Sequence, residues 1–214
     1  MTQNDIRFIL SELSRERRLF WAEADFQFAF AWKLKELFPD AEIRLERKHT
    51  LPEQNGKTKP AYVDIWVTLD GKVYPIELKY KTRKYSGADI KGEVIETTGQ
   101  GAWDIGRQKY LKDIERIEGF SGREDFGRGF AIMITNDRHY YDAALAPSGT
   151  TDRDFLIHEG QVVSGNQDLV WHSDKKWATS LGNVRLKKDY TMLWREYSKC
   201  LDGKGDFKYV LSEI

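Results

Sequence analysis

A chain of 214 residues can bury a substantial core, and its 40% apolar and 32% charged residues are the balance of an ordinary globular protein, not of a fibrous or disordered one. Thirty-four Lys and Arg are matched by thirty-four Asp and Glu, so bulk charge argues for no partner and any nucleic-acid surface has to be local. The single cysteine, Cys200, excludes an intramolecular disulfide and a multi-cysteine zinc site.

The first residues, MTQNDIRFILSELSRERRLF, lack an uninterrupted apolar run followed by a small-residue cleavage site, so no signal peptide is expected. No stretch approaches the roughly 18 apolar residues that span a bilayer, and the expectation is a cytoplasmic protein without membrane contact. From about Ile6 to Phe38 the chain reads as one or two helices. Phe26, Phe30, Leu34 and Leu37 recur at helical spacing, and Pro39 ends the run. Ala41 to Lys48 alternates as a strand, and the polar stretch from His49 to Lys59, with Asn55-Gly56, reads as a loop. Two strands joined by Asp70-Gly71 follow. A second loop, about Thr82 to Gly99, leads to a helix from about Ala102 to Glu118 that Gly119 stops. Phe130 to Thr135 (FAIMIT) is a continuous apolar run suited to a buried strand. Beyond Asn136, short strand-like pieces at Phe155 to His158, Gln161 to Val163 and Phe207 to Ile214 alternate with loops. This order predicts one α/β domain over 1–214. Its core spans about 20–140 and holds a mixed sheet flanked by helices, and a β-rich extension at about 141–214 adds strands or covers the sheet.

The chemistry concentrates in VDIWVTLDGKVYPIELKYK, Val63 to Lys81. Asp-Gly between two alternating runs is the strongest short-range hairpin signal, because a type I′ turn needs positive φ at both central residues. With Asp70 and Gly71 in the turn, Leu69 pairs with Lys72, Trp66 with Pro75, Asp64 with Glu77 and Tyr62 with Lys79. Val63, Ile65, Val67 and Leu69 then share an apolar face with Tyr74, Ile76, Leu78 and Tyr80, which supports the register. Asp64 and Glu77 fall directly opposite each other, where like charges repel. A hard divalent cation with oxygen ligands removes that repulsion. Lys79 emerges on the same face. Two carboxylates and a lysine suit phosphodiester hydrolysis, in which a metal polarises the phosphate and acidifies a water while the lysine orients that water and offsets charge. An ordinary amphipathic hairpin also has a polar face, but a simply solvated face would not carry Tyr62, Trp66, Val73 and Pro75.

At these residues the chain resembles the PD-(D/E)xK nuclease superfamily, whose pattern is an acid in one strand and (D/E)-x-K in the next, here Asp64 and Glu77-Leu78-Lys79. The name-giving Pro-Asp is replaced by Val63-Asp64. The later segments are similar to an uncharacterised bacterial branch of that superfamily. The resemblance covers about Glu23 to Thr135. It implies a restriction-endonuclease-like core, Mg²⁺ (or Mn²⁺) as cofactor, and hydrolysis of nucleic acid, with DNA ahead of RNA. It also implies a helical acid as a further metal ligand. Glu23, followed by Phe26 and Phe30, matches, and Asp25 is the competitor. A first-turn acid that merely stabilises the helix start would look the same.

Lys72, Lys79, Lys81, Arg83, Lys84 and Lys91 crowd one stretch, of which Lys81, Arg83 and Lys84 are candidates for holding phosphates; a solvated lysine-rich loop is the plainer alternative. Gln100 stands at the entry to the next helix. Arg107, in line with Trp103, Tyr110, Ile114 and Ile117, is a candidate phosphate grip or, equally, an arginine paired with Asp104. His49, His139, His158 and His172 show no metal-ligand spacing. The competing function is a non-catalytic module that binds nucleic acid or protein on the same fold.

Overall fold

The computed structural model describes residues 1–52, 58–89, 91–146, 149–199 and 205–214. Helices α1 (Gln3–Glu16) and α2 (Glu23–Leu37) precede strands β1 (Glu42–Pro52), β2 (Thr58–Leu69) and β3 (Lys72–Lys81). A small hairpin, β4 (Tyr85–Ala88) and β5 (Val94–Thr97), leads to α3 (Trp103–Glu118) and β6 (Phe130–Thr135). The C-terminal part contains α4 (Arg138–Tyr141), β7 (Val162–Val163), β8 (Asp168–Leu169), α5 (Lys176–Leu181), β9 (Val184–Arg185), β10 (Tyr190–Thr191), β11 (Trp194–Ser198) and β12 (Phe207–Glu213).

Six strands form one mixed sheet in the order β1-β2-β3-β6-β12-β11, and β3 with β6 is its parallel pair. A parallel pair needs a crossover, and α3 supplies it. The fold is therefore α/β with helices on both faces. On one face α1 buries Ile6, Ile9, Leu10 and Leu13, and α2 buries Phe26, Phe30 and Leu34, against Ile65, Val67, Ile76 and Leu78. The capping box of α1, in which Thr2 and Asp5 exchange side-chain and backbone bonds, fixes where that helix starts. On the other face Tyr110, Leu111, Ile114 and Ile117 of α3 meet Ala131, Met133 and Val210, together with apolar residues of the C-terminal part. FAIMIT is buried along its whole length because it lies between these two layers.

The C-terminal part does both things expected of it: β11 and β12 extend the sheet, and the rest covers the α3 face. Elsewhere the boundaries move. Strand β1 runs on through His49 to Pro52, where a loop is expected, because β2 pairs with it as far as Thr58. Asn55-Gly56 lies outside the described residues. The expected loop of Thr82 to Gly99 contains the β4–β5 hairpin. Phe155 to His158 is not a strand: Arg153–Phe155 is a 3-10 turn, and Phe155 and Ile157 are buried by packing without strand pairing. Gly119 caps α3 at φ −60°, a conformation open to any residue. No helix among the described residues is long and apolar enough to cross a membrane.

Candidate active site

Asp70 and Gly71 have φ of +51° and +71°, as a type I′ turn requires, and the expected register follows from Leu69 with Lys72 to Ile65 with Ile76. There the β2–β3 ladder stops. Strand β3 continues alongside β6 to Lys81, so its opposite edge is left open. The open amides are taken by carboxylates: Leu78 N donates to Asp64 Oδ2 (2.7 Å) and Tyr80 N to Glu23 Oε2 (2.8 Å). Buried backbone donors must find a partner, and these two acids stand where the next strand's carbonyls would have been. The cross-strand pairs Asp64 with Glu77 and Tyr62 with Lys79 are consequently not made.

The cause lies beside Asp64. Glu46, on β1, has φ of +50° and forms no pair with Asp64, although the register is the same on either side of them. Gln27 of α2 bridges the irregularity, donating to Asp64 O (2.7 Å) and to Glu46 Oε1 (2.9 Å). The strand changes face here, which corrects the uniform alternation expected from the sequence. Val63 packs with Trp66, Val73 and Phe120, not with Ile65.

Glu77 and Lys79 point toward α3, and the residues that meet them are Asp113 and Arg116. Lys79 Nζ lies 2.9 Å from Asp113 Oδ2 and 4.0 Å from Glu23 Oε1, and it donates to Leu78 O (2.9 Å). Arg116 Nη1 donates to Glu77 Oε1 (2.6 Å) and lies 3.1 Å from Asp113 Oδ1. Glu77 is 1% exposed, and its Oε2 has no hydrogen-bond partner among the described residues. Burial drives the Glu77 carboxyl well above its ordinary pKa, with Asp113 and Asp64 adding to the effect and Arg116 opposing it. Burial likewise raises Asp113 and Asp64, against the pull of Lys79 on both. For Lys79 burial acts downward, but Asp113, Glu23 and Asp64 outweigh it and hold the ammonium above its usual range. The acids Glu23, Asp64, Glu77 and Asp113 thus outnumber the two cations, Lys79 and Arg116, that pair with them.

Asp113 and Arg116 were not foreseen from the sequence. The available signal was an acid on a buried helical stripe, flanked by Tyr110, Ile114 and Ile117, which implies a buried cationic partner. Of the two helical acids, Glu23 reaches this group, whereas Asp25 accepts from Trp21 N (3.0 Å) and Arg17 (2.6 Å). Lys81 is half-buried beside it. Burial lowers its pKa, Glu23 opposes, and Lys79 and Lys109 add to the lowering. Arg83 and Lys84 are exposed just beyond β3. Gln100 gives its backbone N–H to Thr82 O (2.9 Å). Lys79 is not part of a solvated basic patch, being buried at the acids.

Arg107 is not at this site. It is 7% exposed, binds Asp152 through Nε (2.9 Å) and Nη2, and donates to His139 O (2.9 Å). Its guanidinium ties α3 to the C-terminal part, and Asp152, not Asp104, is its partner. Of the two readings the sequence left equal, the structure shows the ion-paired arginine, with the guanidinium turned to Asp152 and His139 O.

Asp64, Glu77 and Glu23 do not form one ligand group. Among the described residues no three Asp, Glu, His or Cys side chains converge to hold a metal ion. Glu23 faces Lys79 and the Tyr80 amide instead. The pair Asp64 and Glu77 still fits a hard cation. Both are oxygen donors, and Glu77 Oε2 is a buried acceptor lacking any donor. No family model, curated protein or solved structure matches the chain.

Proposed function

We propose that the chain is a metal-dependent nuclease of the PD-(D/E)xK type on a restriction-endonuclease-like core, with DNA ahead of RNA as substrate. The observation that carries this is Glu77 Oε2, buried and without a hydrogen-bond partner among the described residues, in a carboxyl that the nearby Asp113 and Asp64 charges act on. A purely structural network would close on itself, whereas this one retains an excess of carboxylates.

Asp64 and Glu77 are the side chains that would hold Mg²⁺ or Mn²⁺. Such a cation, when bound, supplies Lewis acidity to a phosphate and a more acidic water. The protein's own part is positional and electrostatic. The Leu78 N–H fixes one Asp64 oxygen, leaving the other to the site. Lys79 stays protonated and so does not act as a base. It is a fixed cation, held by Asp113 and Leu78 O, whose remaining N–H can meet a phosphate oxygen as negative charge grows. Asp113 is therefore a positioning residue for Lys79.

One observation favours the non-catalytic module. Arg116 already neutralises part of the Glu77 and Asp113 charge. Cleavage of single- and double-stranded DNA and RNA with Mg²⁺, Mn²⁺ or EDTA decides between them. The expected outcome is metal-dependent cleavage of at least one substrate, reduced by about 100-fold or more in Asp64→Asn, as for loss of a main electrostatic contributor. Binding without cleavage of all four substrates, unchanged by EDTA, supports the module instead.

A further inference from the structure

On the face of the sheet away from Glu77, between α1 and the strands β11 and β12, lies a cavity of about 600 Å³. That volume falls in the range of small-molecule sites. Arg7, Ser11 and Ser14 line it from α1, at the i, i+4, i+7 spacing of one helical stripe, and Arg195 and Tyr209 line it from the strands.

The lining is rich in donors and poor in acceptors. Neither Arg7 nor Arg195 makes an ion pair among the described residues, and Arg7 Nε is buried with no hydrogen-bond partner. Glu196, the acid of the wall, pairs with Lys199 (3.1 Å). Both guanidiniums lie near the Tyr209 hydroxyl. Burial raises its pKa, and Arg195 and Arg7 pull it back. Two guanidiniums that line one cavity with no ion pair among the described residues are a setting that favours an anion between them. Leu10 and the ring of Tyr197, whose hydroxyl is fixed on Arg17 O (2.9 Å), supply apolar wall beside the cationic end.

We propose that this cavity binds a phosphate monoester on a nucleotide-sized ligand. Arg7 and Arg195 hold the dianion, Ser11 and Tyr209 offer hydroxyls to it, and Leu10 and Tyr197 pack against the remainder. Two guanidiniums match a doubly charged tetrahedral group better than a single carboxylate. The volume exceeds that of a free phosphate. A free mononucleotide and the phosphorylated end of a strand share this chemistry. The site lies on the opposite side of the sheet from Lys79 and does not depend on the nuclease assignment.

The test is calorimetric titration of the full chain with adenosine 5′-monophosphate, adenosine, and a short oligonucleotide with and without a 5′-phosphate. Phosphate-dependent binding is expected, weakened by about tenfold or more in Arg7→Gln and in Arg195→Gln. Binding of the mononucleotide identifies a free nucleotide as the source, and binding of the phosphorylated oligonucleotide alone identifies a strand end. Arg7→Lys keeps the charge but loses the fork, so it is expected to bind weakly even if Arg7→Gln fails to fold. Equal binding of adenosine and its monophosphate, no binding of either phosphorylated probe, or undiminished binding by the arginine variants overturns the proposal.

Discussion

Lys79 illustrates how burial changes what a substitution reports. The hairpin pattern alone places it on an open polar face, where Lys79→Ala would remove chemistry and spare the fold. In the structure it is bound to Asp113, itself 3% exposed, so truncation takes one of the two cations from a buried carboxylate and leaves it Arg116 alone. Breaking such a pair costs about 3–5 kcal/mol. Lys79→Ala is therefore expected to lower the denaturation midpoint sharply as well as abolish cleavage, and Lys79→Arg to retain much of the stability. Chemical denaturation of both variants checks this; an unaltered midpoint for Lys79→Ala would show that Asp113 does not rely on it. His49 makes a second prediction at this scale. It stacks on Trp66 with ring centroids 3.9 Å apart, and Arg47 and Arg123 lie over the same indole. Burial, then Arg47 and Arg123, lowers its pKa to about 4. A folded-state pKa below the unfolded value near 6.5 means that the unfolded chain binds the proton first. The neutral ring's contribution is thus complete above about pH 6.5 and is lost as pH falls toward 4. Because the ring is partly solvated, the effect is on the order of 1 kcal/mol. His49→Phe keeps the stacking and is expected to flatten stability between those pH values. Parallel curves for variant and wild type would remove His49 from the acid response.

Among the elements, the β2–β3 hairpin was the most legible, because Asp-Gly and period-two alternation both act within a few residues of chain. The same local logic cannot see Glu46. A positive φ there, bridged by Gln27 from α2, stops the ladder one pair short of Asp64, so Asp64 accepts from the Leu78 amide and Glu23 of α2 from the Tyr80 amide, while Glu77 turns to Arg116. Hairpin β4–β5 was missed since its four-residue strands are too short to show a period. Helix α3 was placed to within a residue, yet the partners of its two buried ionic stripes come from β3 and from Asp152, distant in sequence. For Arg107 the consequence is testable. Arg107→Met leaves Asp152 buried and unpaired and is expected to destabilise the fold by about 3 kcal/mol or more, with no change in how nucleic-acid affinity depends on salt. Replacing the half-buried Lys81 and the exposed Arg83 and Lys84 by Ala is expected to do the reverse, flattening the plot of log K against log salt by about 0.9 for each duplex phosphate that is no longer neutralised. A reduced slope in Arg107→Met, or an unchanged one in the triple variant, would place the phosphate-binding cations elsewhere.

At the scale of the molecule, the α/β class and the enclosed strand β6 followed from the order of elements and the unbroken apolar run of FAIMIT. Of the C-terminal sheet strands, β12 matches the piece expected at Phe207 to Ile214, whereas β11 was not foreseen, because it takes its place from pairing with β12 and not from any local turn. What the whole fold adds to the site is assembly. Asp64 comes from β2, Glu77 from β3 and Arg116 from α3, so only the folded chain presents the two candidate ligands together. A ligand bound to the folded state alone stabilises it by about 2.7 kcal/mol at one hundred times its dissociation constant. For a chain of this size that corresponds to a rise in Tm of roughly 5–10 °C. Wild-type protein melted in saturating Mn²⁺ is expected to show such a rise over its melt in EDTA. Asp64→Asn removes one candidate ligand while its amide oxygen can still accept the Leu78 N–H, so the variant is expected to lose the metal-induced rise. Its melt in EDTA is expected to be unchanged or slightly higher, because burial already disfavours the charged form of Asp64. The opposite pattern, no metal shift in wild type and a lower EDTA melt for Asp64→Asn, would mean that Asp64 serves the β3 backbone and nothing else, and the nuclease proposal would lose its metal pair.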